Sequence, residues 1–562
     1  MAHCPGTVTN CRPYPRQATA KLVAGMVAAA AGLGAGLAAC REEEEYEVVE
    51  NWSSTHSVKT KSYLQPDSLQ EVEQIISKAH EEGQRVRVVG NALSPSGLGL
   101  SKDTMLSVGL CDRVLRINKK RQTVTVEAGA RVQQVVDALA PHGLTLQNYA
   151  SISEQQLGGF LQVGAHGTGA TIPPVDEQIV ALKLVTPAFG TIELSNRSNP
   201  DLFRLVKVGL GALGVVTEVT IKCVPRHHLV ETTSVMTRDE VHACHHSLLR
   251  ENKHLRYMWI PYTDMVVVVG CNDLGVNEGL QRRKTRPPGH MVTCDGLPEG
   301  KPVASREVYT AEECLQPMRD LLLGHMGKTV PPHVLEEVNS KNFAALRDNL
   351  LALAPLDTEW VKKVNASEAE FWRRSQGNRV DFSDRILGFE CGGQQWVNEV
   401  AFPTGTMAEP NGNDLNYIEE LLKVIEENGL PAPAPIEQRW TASSSAEMSP
   451  AHDKDSSETV YSWVGIILYL PTEDPEVRQK IAEAFFRYRD QVKAKLWGRF
   501  DCMEHWAKLE MPRTEEEAKE IRSRLHRRFP ISEFNSVRQL LDPKNIMAND
   551  HIDVCLGKPG VQ

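Results

Sequence analysis

The sequence predicts an α+β fold arranged as two successive units, and three observations carry that reading. Helical and strand periodicities alternate from Asn51 to Val224, a less regular mixture of both follows Arg226, and each part holds its own polar feature. The first has two glycine-dense turns; the second has Glu437-Gln438-Arg439, an acid and a base two residues apart. At 562 residues the chain exceeds one ordinary core, and at about 150 residues per domain it suggests two to four units.

The elements follow in order. Ser68 and Glu71 form a capping box before the apolar stripe Leu69, Val72, Ile75, Ile76 and Ala79, a helix that Gly83 closes. Arg85 to Val89 reads as a strand running into the first glycine turn. Thr123 to Val126 alternates as a strand, and Val132, Val135, Val136 and Leu139 mark a helix ended by Pro141 and Gly143. Further strands are predicted at Ile179 to Thr186, Thr191 to Leu194 and Val215 to Cys223, with a hairpin turn over Pro187 to Gly190. In the second unit, strands are predicted at Met265 to Gly270, Gln395 to Phe402 and Trp463 to Leu470, and helices at Asp414 to Asn428 and Pro475 to Leu496. Residues 272 to 304, rich in Gly, Pro and mixed charge, read as a long exposed loop. Residues 441 to 459 are polar and Ser-rich, which fits a solvated loop or a mobile flap over a site.

Composition narrows the function. Apolar and charged fractions of 41% and 24% are those of a soluble globular protein. The net charge of −10, with basic residues scattered along the chain, argues against nucleic acid as a partner. Twelve cysteines form no CxxC pair, so reduced and mostly buried thiols are expected. No metal site is expected either: His242-Ala243-Cys244-His245-His246 has no carboxylate or second cysteine close by and reads as surface histidines on a helix. The first 41 residues are basic and acid-free, like an organelle transit segment, and within them residues 22 to 40 form a charge-free but only weakly hydrophobic span. Leu37-Ala38-Ala39-Cys40 also looks like a bacterial lipoprotein cleavage box, against which the long leader argues.

The glycine turns are Gly90-Asn91-Ala92-Leu93-Ser94-Pro95-Ser96-Gly97 and the pair Gly158-Gly159 followed by Gly164-Ala165-His166-Gly167-Thr168-Gly169. Such turns let backbone N–H groups approach a large anionic ligand. In an extended strand Glu437 and Arg439 leave the same face. Alone, the pair reads as a structural ion pair; beside two glycine turns it reads as facing a cavity that holds a dinucleotide cofactor and a polar substrate.

The chain resembles the aldonolactone oxidoreductases of the vanillyl-alcohol-oxidase flavoprotein superfamily, from about Asn51 to the C-terminus. The likeness rests on Asn51-Trp52-Ser53 with Thr55-His56, Gly143-Leu144-Thr145-Leu146-Gln147-Asn148, Gln162 to Gly169, Cys391-Gly392-Gly393-Gln394-Gln395-Trp396, Pro435 to Trp440, and His505-Trp506-Ala507-Lys508. With the leader read from its composition as a targeting segment over 1–48, the likeness implies an FAD-binding domain over 49–225, a substrate (cap) domain over 226–530, and a segment 531–562 returning to the FAD domain. It places at the cofactor Gly90, Asn91, Ala92, Leu93, Ser94, Pro95, Ala150, Ser151, Gly158, Gly159, His166, Gly167, Thr168, Gly169, Gly214 and Val216. His166, among glycines, is expected to serve loop shape and flavin contacts.

Many relatives attach the flavin through a histidine at the position of Leu93, so FAD is expected to be held non-covalently here. Oxidases often carry glycine where this chain has Ala150, which implies a dehydrogenase that uses oxygen poorly. The likeness makes Glu437, Arg439 and Lys508 the catalytic candidates. Ala507 replaces a glycine common in lactone oxidases, and Cys391 stands where plant members have an oxidation-sensitive thiol. The implied reaction is mitochondrial oxidation of L-galactono-1,4-lactone to L-ascorbate, at the inner membrane or in the intermembrane space, with cytochrome c as acceptor. A peroxide-forming oxidase of L-gulono- or D-arabinono-lactone is the rival, and a role in assembling respiratory complex I is a further implication.

Overall fold

A computed structural model describes residues 46–274, 309–327, 330–388 and 392–560. The leader with its weak span, nearly all of the predicted 272–304 loop, and Cys391 lie outside the described residues. Among the described residues no helix is long and apolar enough to cross a membrane.

The first helix, Leu69–Glu82, shows how local sequence sets local structure. Ser68 caps its start by accepting from the Glu71 N–H, and Gly83 closes it at φ 67°. The box is only half made, because the Glu71 carboxylate takes the Asp67 N–H instead of that of Ser68. Helix Val132–Leu139 and strands Val86–Val89, Thr123–Glu127, Ile179–Thr186, Gly190–Ser195 and Val215–Lys222 fall where the periodicity puts them. Strand Met265–Asp273 reaches into the stretch read as a loop, extended by pairing with His228–Thr237. Helix Pro475–Val492 ends short of Leu496, passing into a π-helical turn at Lys493–Trp497.

Two sheets form the first lobe. Three strands pair in parallel around Thr104–Ser107, and a separate antiparallel sheet has five strands with Val215–Lys222 at its centre. Their shared core includes Leu106, Val126, Leu157, Phe203 and Val219, and the chain returns to it with Trp506, Leu525, Phe534, Ile546 and Ile552. The Val86 N–H donates to the Ile546 carbonyl, and Asn549 donates to the carbonyls of Leu98 and Leu100. The second lobe is an eight-stranded antiparallel sheet, whose middle strands are His254–Trp259, Ile436–Ala442 and Thr459–Tyr469. Trp259, Trp440, Ile418, Leu421 and Phe485 fill the core behind it.

Several expectations give way here. The first half of the 441–459 segment is no solvated loop or flap: Ser443, Ser444, Ala446, Met448, Ser449 and Ala451 are buried between the lobes, whereas Lys454, Asp455, Ser457 and Glu458 are exposed as expected. Two of its serines bind the first lobe. Ser444 Oγ donates to Asp176, Ser445 N–H and Oγ donate to Glu177, and Met448 O accepts from Trp506 Nε1 at 2.6 Å. His245 is buried, bridging Tyr257 at 3.0 Å and Asp414 at 2.7 Å, so the helix that carries it is not simply decorated with surface histidines. Six described cysteines are free and buried.

The full burial of Asp176 has a measurable consequence. Burial, then the neighbouring Glu177, push the Asp176 carboxyl up to about 7. Between that value and the ordinary ~3.9 of an unfolded aspartate, the folded state holds a proton the unfolded chain has released. This group's contribution to stability therefore falls as pH rises through that window. Asp176→Asn removes the titration, so its Tm relative to wild type is expected to be more favourable at about pH 8 than at about pH 5. Scanning calorimetry at both pH values checks this; an offset independent of pH would contradict it.

Candidate active site

One cavity of about 590 Å³ runs between the lobes, lined by the first glycine turn, by Ala150 to Ile152, and by the face of the large sheet that carries Glu437 and Arg439. That volume is in the range of cofactor sites.

The first wall is the turn Gly90 to Pro95, fixed from two sides. Asn51 Nδ2 donates to the carbonyls of Ser94 and Pro95 at 3.0 and 2.9 Å, Thr55 Oγ1 donates to Pro95 O at 2.7 Å, and Trp52 N–H donates to Ala92 O at 2.8 Å. Ala92 sits at φ 51°, a conformation L-residues rarely adopt. With the carbonyls thus held, the N–H groups of Asn91, Ala92, Leu93 and Ser94 meet no protein acceptor among the described residues. Backbone donors gathered this way suit a diphosphate. Gly159 faces open space where a Cβ would stand, while Gly158 packs 3.1 Å from the Ala128 methyl. Gln155 Oε1 and Gln156 Oε1 are buried, line the cavity and lack a partner, so both can accept from a ligand. These features fit FAD.

Leu93, Ala150, Ser151, His166, Gly214 and Val216 also line the cavity. Gly167, Thr168 and Gly169 lie behind its wall. Thr168 O accepts from His254 Nδ1 at 2.6 Å, Thr168 Oγ1 donates to Leu255 O, and Gly169 N–H donates to Trp440 O at 2.7 Å, so this run joins the lobes.

The opposite wall follows from strand register. Glu437 pairs with Gly465 and Met258, Arg439 with Trp463 and Arg256, and Gly465 with Glu399. Alternation aims Glu437 and Arg439 into the cavity, and Gln438 between them turns back to Trp259, Asp414 and Ser462. Arg439 Nη2 donates to Glu437 at 2.5 Å, and Arg256 lies 3.5 Å from the other Glu437 oxygen. The pair is thus an ion pair and a cavity wall at once.

Lys508 reaches the same place from the His505–Lys508 segment, which Ser96 ties to the first glycine turn by donating its Oγ to Ala507 O at 2.9 Å. Lys508 pairs with buried Glu399, whose carboxylate also lies 3.3 Å from His166 Nε2 and 4.0 Å from Arg439. Burial alone would raise Glu399, yet Lys508, His166 and Arg439 hold it well below the usual carboxylate range. Burial first, and then the nearby cations against the pull of Glu399, lower His166 and His505, and His166 stacks on Trp463 at 3.8 Å. His166, Glu399 and His505 bring three ligand-type atoms within 4.8 Å of one another, but with Lys508 on the carboxylate the cluster supports the cations above it.

At this end Arg256, Arg439 and Lys508 face Glu437 and Glu399. The excess of positive charge favours a ligand on which negative charge develops. Sequence reasoning did not find Arg256, Glu399 or His505. The alternation that pointed to Glu437 would also have flagged Glu399, on the cavity side of Gln395–Thr406 with Gln395 and Val397.

The chain is similar to known proteins over most of its length. A family model described as FAD binding domain matches residues 60–195, and one described as D-arabinono-1,4-lactone oxidase matches 219–291 and 328–555. A mitochondrial L-galactono-1,4-lactone dehydrogenase from Arabidopsis thaliana is 48% identical over 91% of this chain and 81% of its own length. Its counterpart from Oryza sativa subsp. japonica is 49% identical over 91% and 84%. L-gulonolactone oxidase from Bos taurus is 27% identical over 90% and 97%. Cholesterol oxidase from B. sterolicum shares the fold, with a TM-score of 0.66 at 15% identity over 91% of this chain and 97% of that one. The fold is of the vanillyl-alcohol-oxidase type, and the FAD-binding domain and the dehydrogenase relatives make the chain an FAD-dependent oxidoreductase. Within that class, the chain belongs to the L-galactono-1,4-lactone dehydrogenase family.

Proposed function

We propose that the protein oxidises L-galactono-1,4-lactone to L-ascorbate in the mitochondrion and passes the electrons to cytochrome c. The observation that carries this reading is the facing of Glu437, Arg439 and Lys508 across one cavity from the glycine turn. Glu437 orients the lactone 2-hydroxyl and accepts its proton. Arg439 and Lys508 bind lactone oxygens and offset the negative charge that develops. Bound FAD supplies the acceptor for the two electrons and the hydrogen that leave the carbon bearing that hydroxyl. The keto-lactone so formed tautomerises to the enediol, L-ascorbate. FAD is held without a covalent link, since Leu93 offers no nucleophilic atom.

The likeness to L-gulonolactone oxidase keeps one competing reading in view, an oxidase that delivers its electrons to oxygen and forms peroxide. Purified protein given L-galactono-1,4-lactone in air with cytochrome c separates the two. The reading predicts that reduced cytochrome c accounts for nearly all electrons; peroxide in amounts matching the lactone consumed would overturn it. A role in assembling respiratory complex I would use the outer surface, and a variant without turnover that still restores assembly would separate that role from catalysis.

A further inference from the structure

The cavity continues past Glu437 to a second acid and base that the reaction does not use. Arg347, on helix Phe343–Leu353, and Glu368, on helix Thr358–Arg374, are 5% and 3% exposed, and both line the cavity. Burial pushes the Glu368 carboxyl up, and Arg347 is close enough to counter this in part, yet no ion pair within 4.0 Å forms between them. Other contacts hold each in place. Arg347 lies over the Tyr469 ring at 4.0 Å, donates to Tyr469 Oη at 3.1 Å, and donates to Asp348 from Nε and Nη2 at 3.0 and 2.8 Å. Among the described residues Glu368 accepts only a long 3.4 Å bond from Trp372 Nε1. A buried carboxyl and guanidinium held apart across a cavity leave hydrogen-bonding capacity that a ligand can take up.

The register fixes where this slot lies. Gly465, Ile467 and Tyr469 line the cavity from alternate positions of one strand, and Gly465 pairs with Glu437. Tyr469 is therefore roughly 13 Å along the sheet from the Glu437 row, a span that a six-carbon lactone fills together with a side chain at each end. Asp348 already pairs with Arg347 and Glu368 adds a second carboxyl, so an anionic ligand is disfavoured. Neighbouring hydroxyl groups, which both donate and accept, match the pair.

Resting on the lactone reading above, we propose that Glu368 and Arg347 form a subsite for the exocyclic diol of the lactone, remote from the reacting carbon, and thereby set a preference for six-carbon substrates. Steady-state kinetics with L-galactono-1,4-lactone and with four-carbon threono-1,4-lactone, which lacks the diol side chain, test this in wild type, Glu368→Gln and Arg347→Lys. Bound-flavin spectra confirm that each variant is folded. In both variants kcat/KM for the six-carbon lactone is expected to fall roughly 10- to 100-fold, mostly through KM, as leaving a buried polar group unpaired implies. The four-carbon lactone should lose far less, so the preference collapses. Equal losses on both lactones, or an intact preference, would overturn the subsite. A wild-type enzyme that oxidises neither lactone would overturn the substrate reading itself, and the subsite with it.

Discussion

Arg439→Ala is expected to lower kcat for lactone oxidation by roughly 10²- to 10³-fold, the usual cost of removing a preorganised electrostatic stabiliser. The guanidinium is buried, lines the cavity beside Glu437, and lies 4.0 Å from Glu399. Its loss does more than vacate a binding contact. Glu437 keeps only Arg256 at 3.5 Å, and the local balance shifts from three cations against two carboxylates to two against two. Arg439→Lys keeps the charge but not the planar fork, and is expected to recover only part of the rate. Glu437→Gln should also slow turnover, by roughly 10²- to 10⁴-fold for a lost general base, while leaving the cation beside it in place. Single-turnover flavin reduction measured anaerobically separates these effects from acceptor chemistry. A variant whose flavin is reduced at the wild-type rate would exclude Arg439 from the step.

Ala150→Gly is expected to act on the other half of the cycle. Ala150 lines the cavity in the segment after Tyr149 and is half-buried against the first core. Its methyl group stands where oxidases of the superfamily often have glycine, and in the proposed reading it narrows the path of oxygen to the reduced ring. Removing it should raise the rate of reoxidation by oxygen by roughly tenfold or more, a barrier change of only about 1.4 kcal/mol. The lactone half-reaction should change little, because Glu437, Arg439 and Lys508 come from the other lobe and its return segment. Stopped-flow mixing of lactone-reduced enzyme with aerated buffer gives the rate directly. An unchanged oxygen rate would show that this methyl is not the barrier.

How much of this was legible in the sequence depends on the kind of signal. Short-range patterns carried well: the stripe from Leu69 to Ala79, the turn before Gly190 and the alternation at Glu437 and Arg439 all depend on neighbours within a few residues. The specific roles came from resemblance, since one acid–base pair on a strand has no function until something faces it. The parts that stayed hidden depend on long-range burial. Glu368 sits on a helix that also carries exposed charges, such as Lys363 and Arg373, and Arg347 stands beside half-buried Asp348, so only tertiary packing tells the two kinds apart. The 441–459 segment has the composition of a solvated loop, but its serines answer Asp176 and Glu177, more than two hundred residues away. His245 is similar, because Asp414 is what makes its burial tolerable.

The account turns on a flavin seated between the glycine turn and the Glu437–Arg439 face, within reach of a lactone. The most direct test is the visible spectrum of the purified protein, recorded anaerobically before and after L-galactono-1,4-lactone is added. The predicted result is a yellow, dissociable flavin whose visible band bleaches on addition of the lactone in wild type and only very slowly in Arg439→Ala. A colourless protein that takes up no added FAD, or a bound flavin that the lactone leaves oxidised, would contradict it.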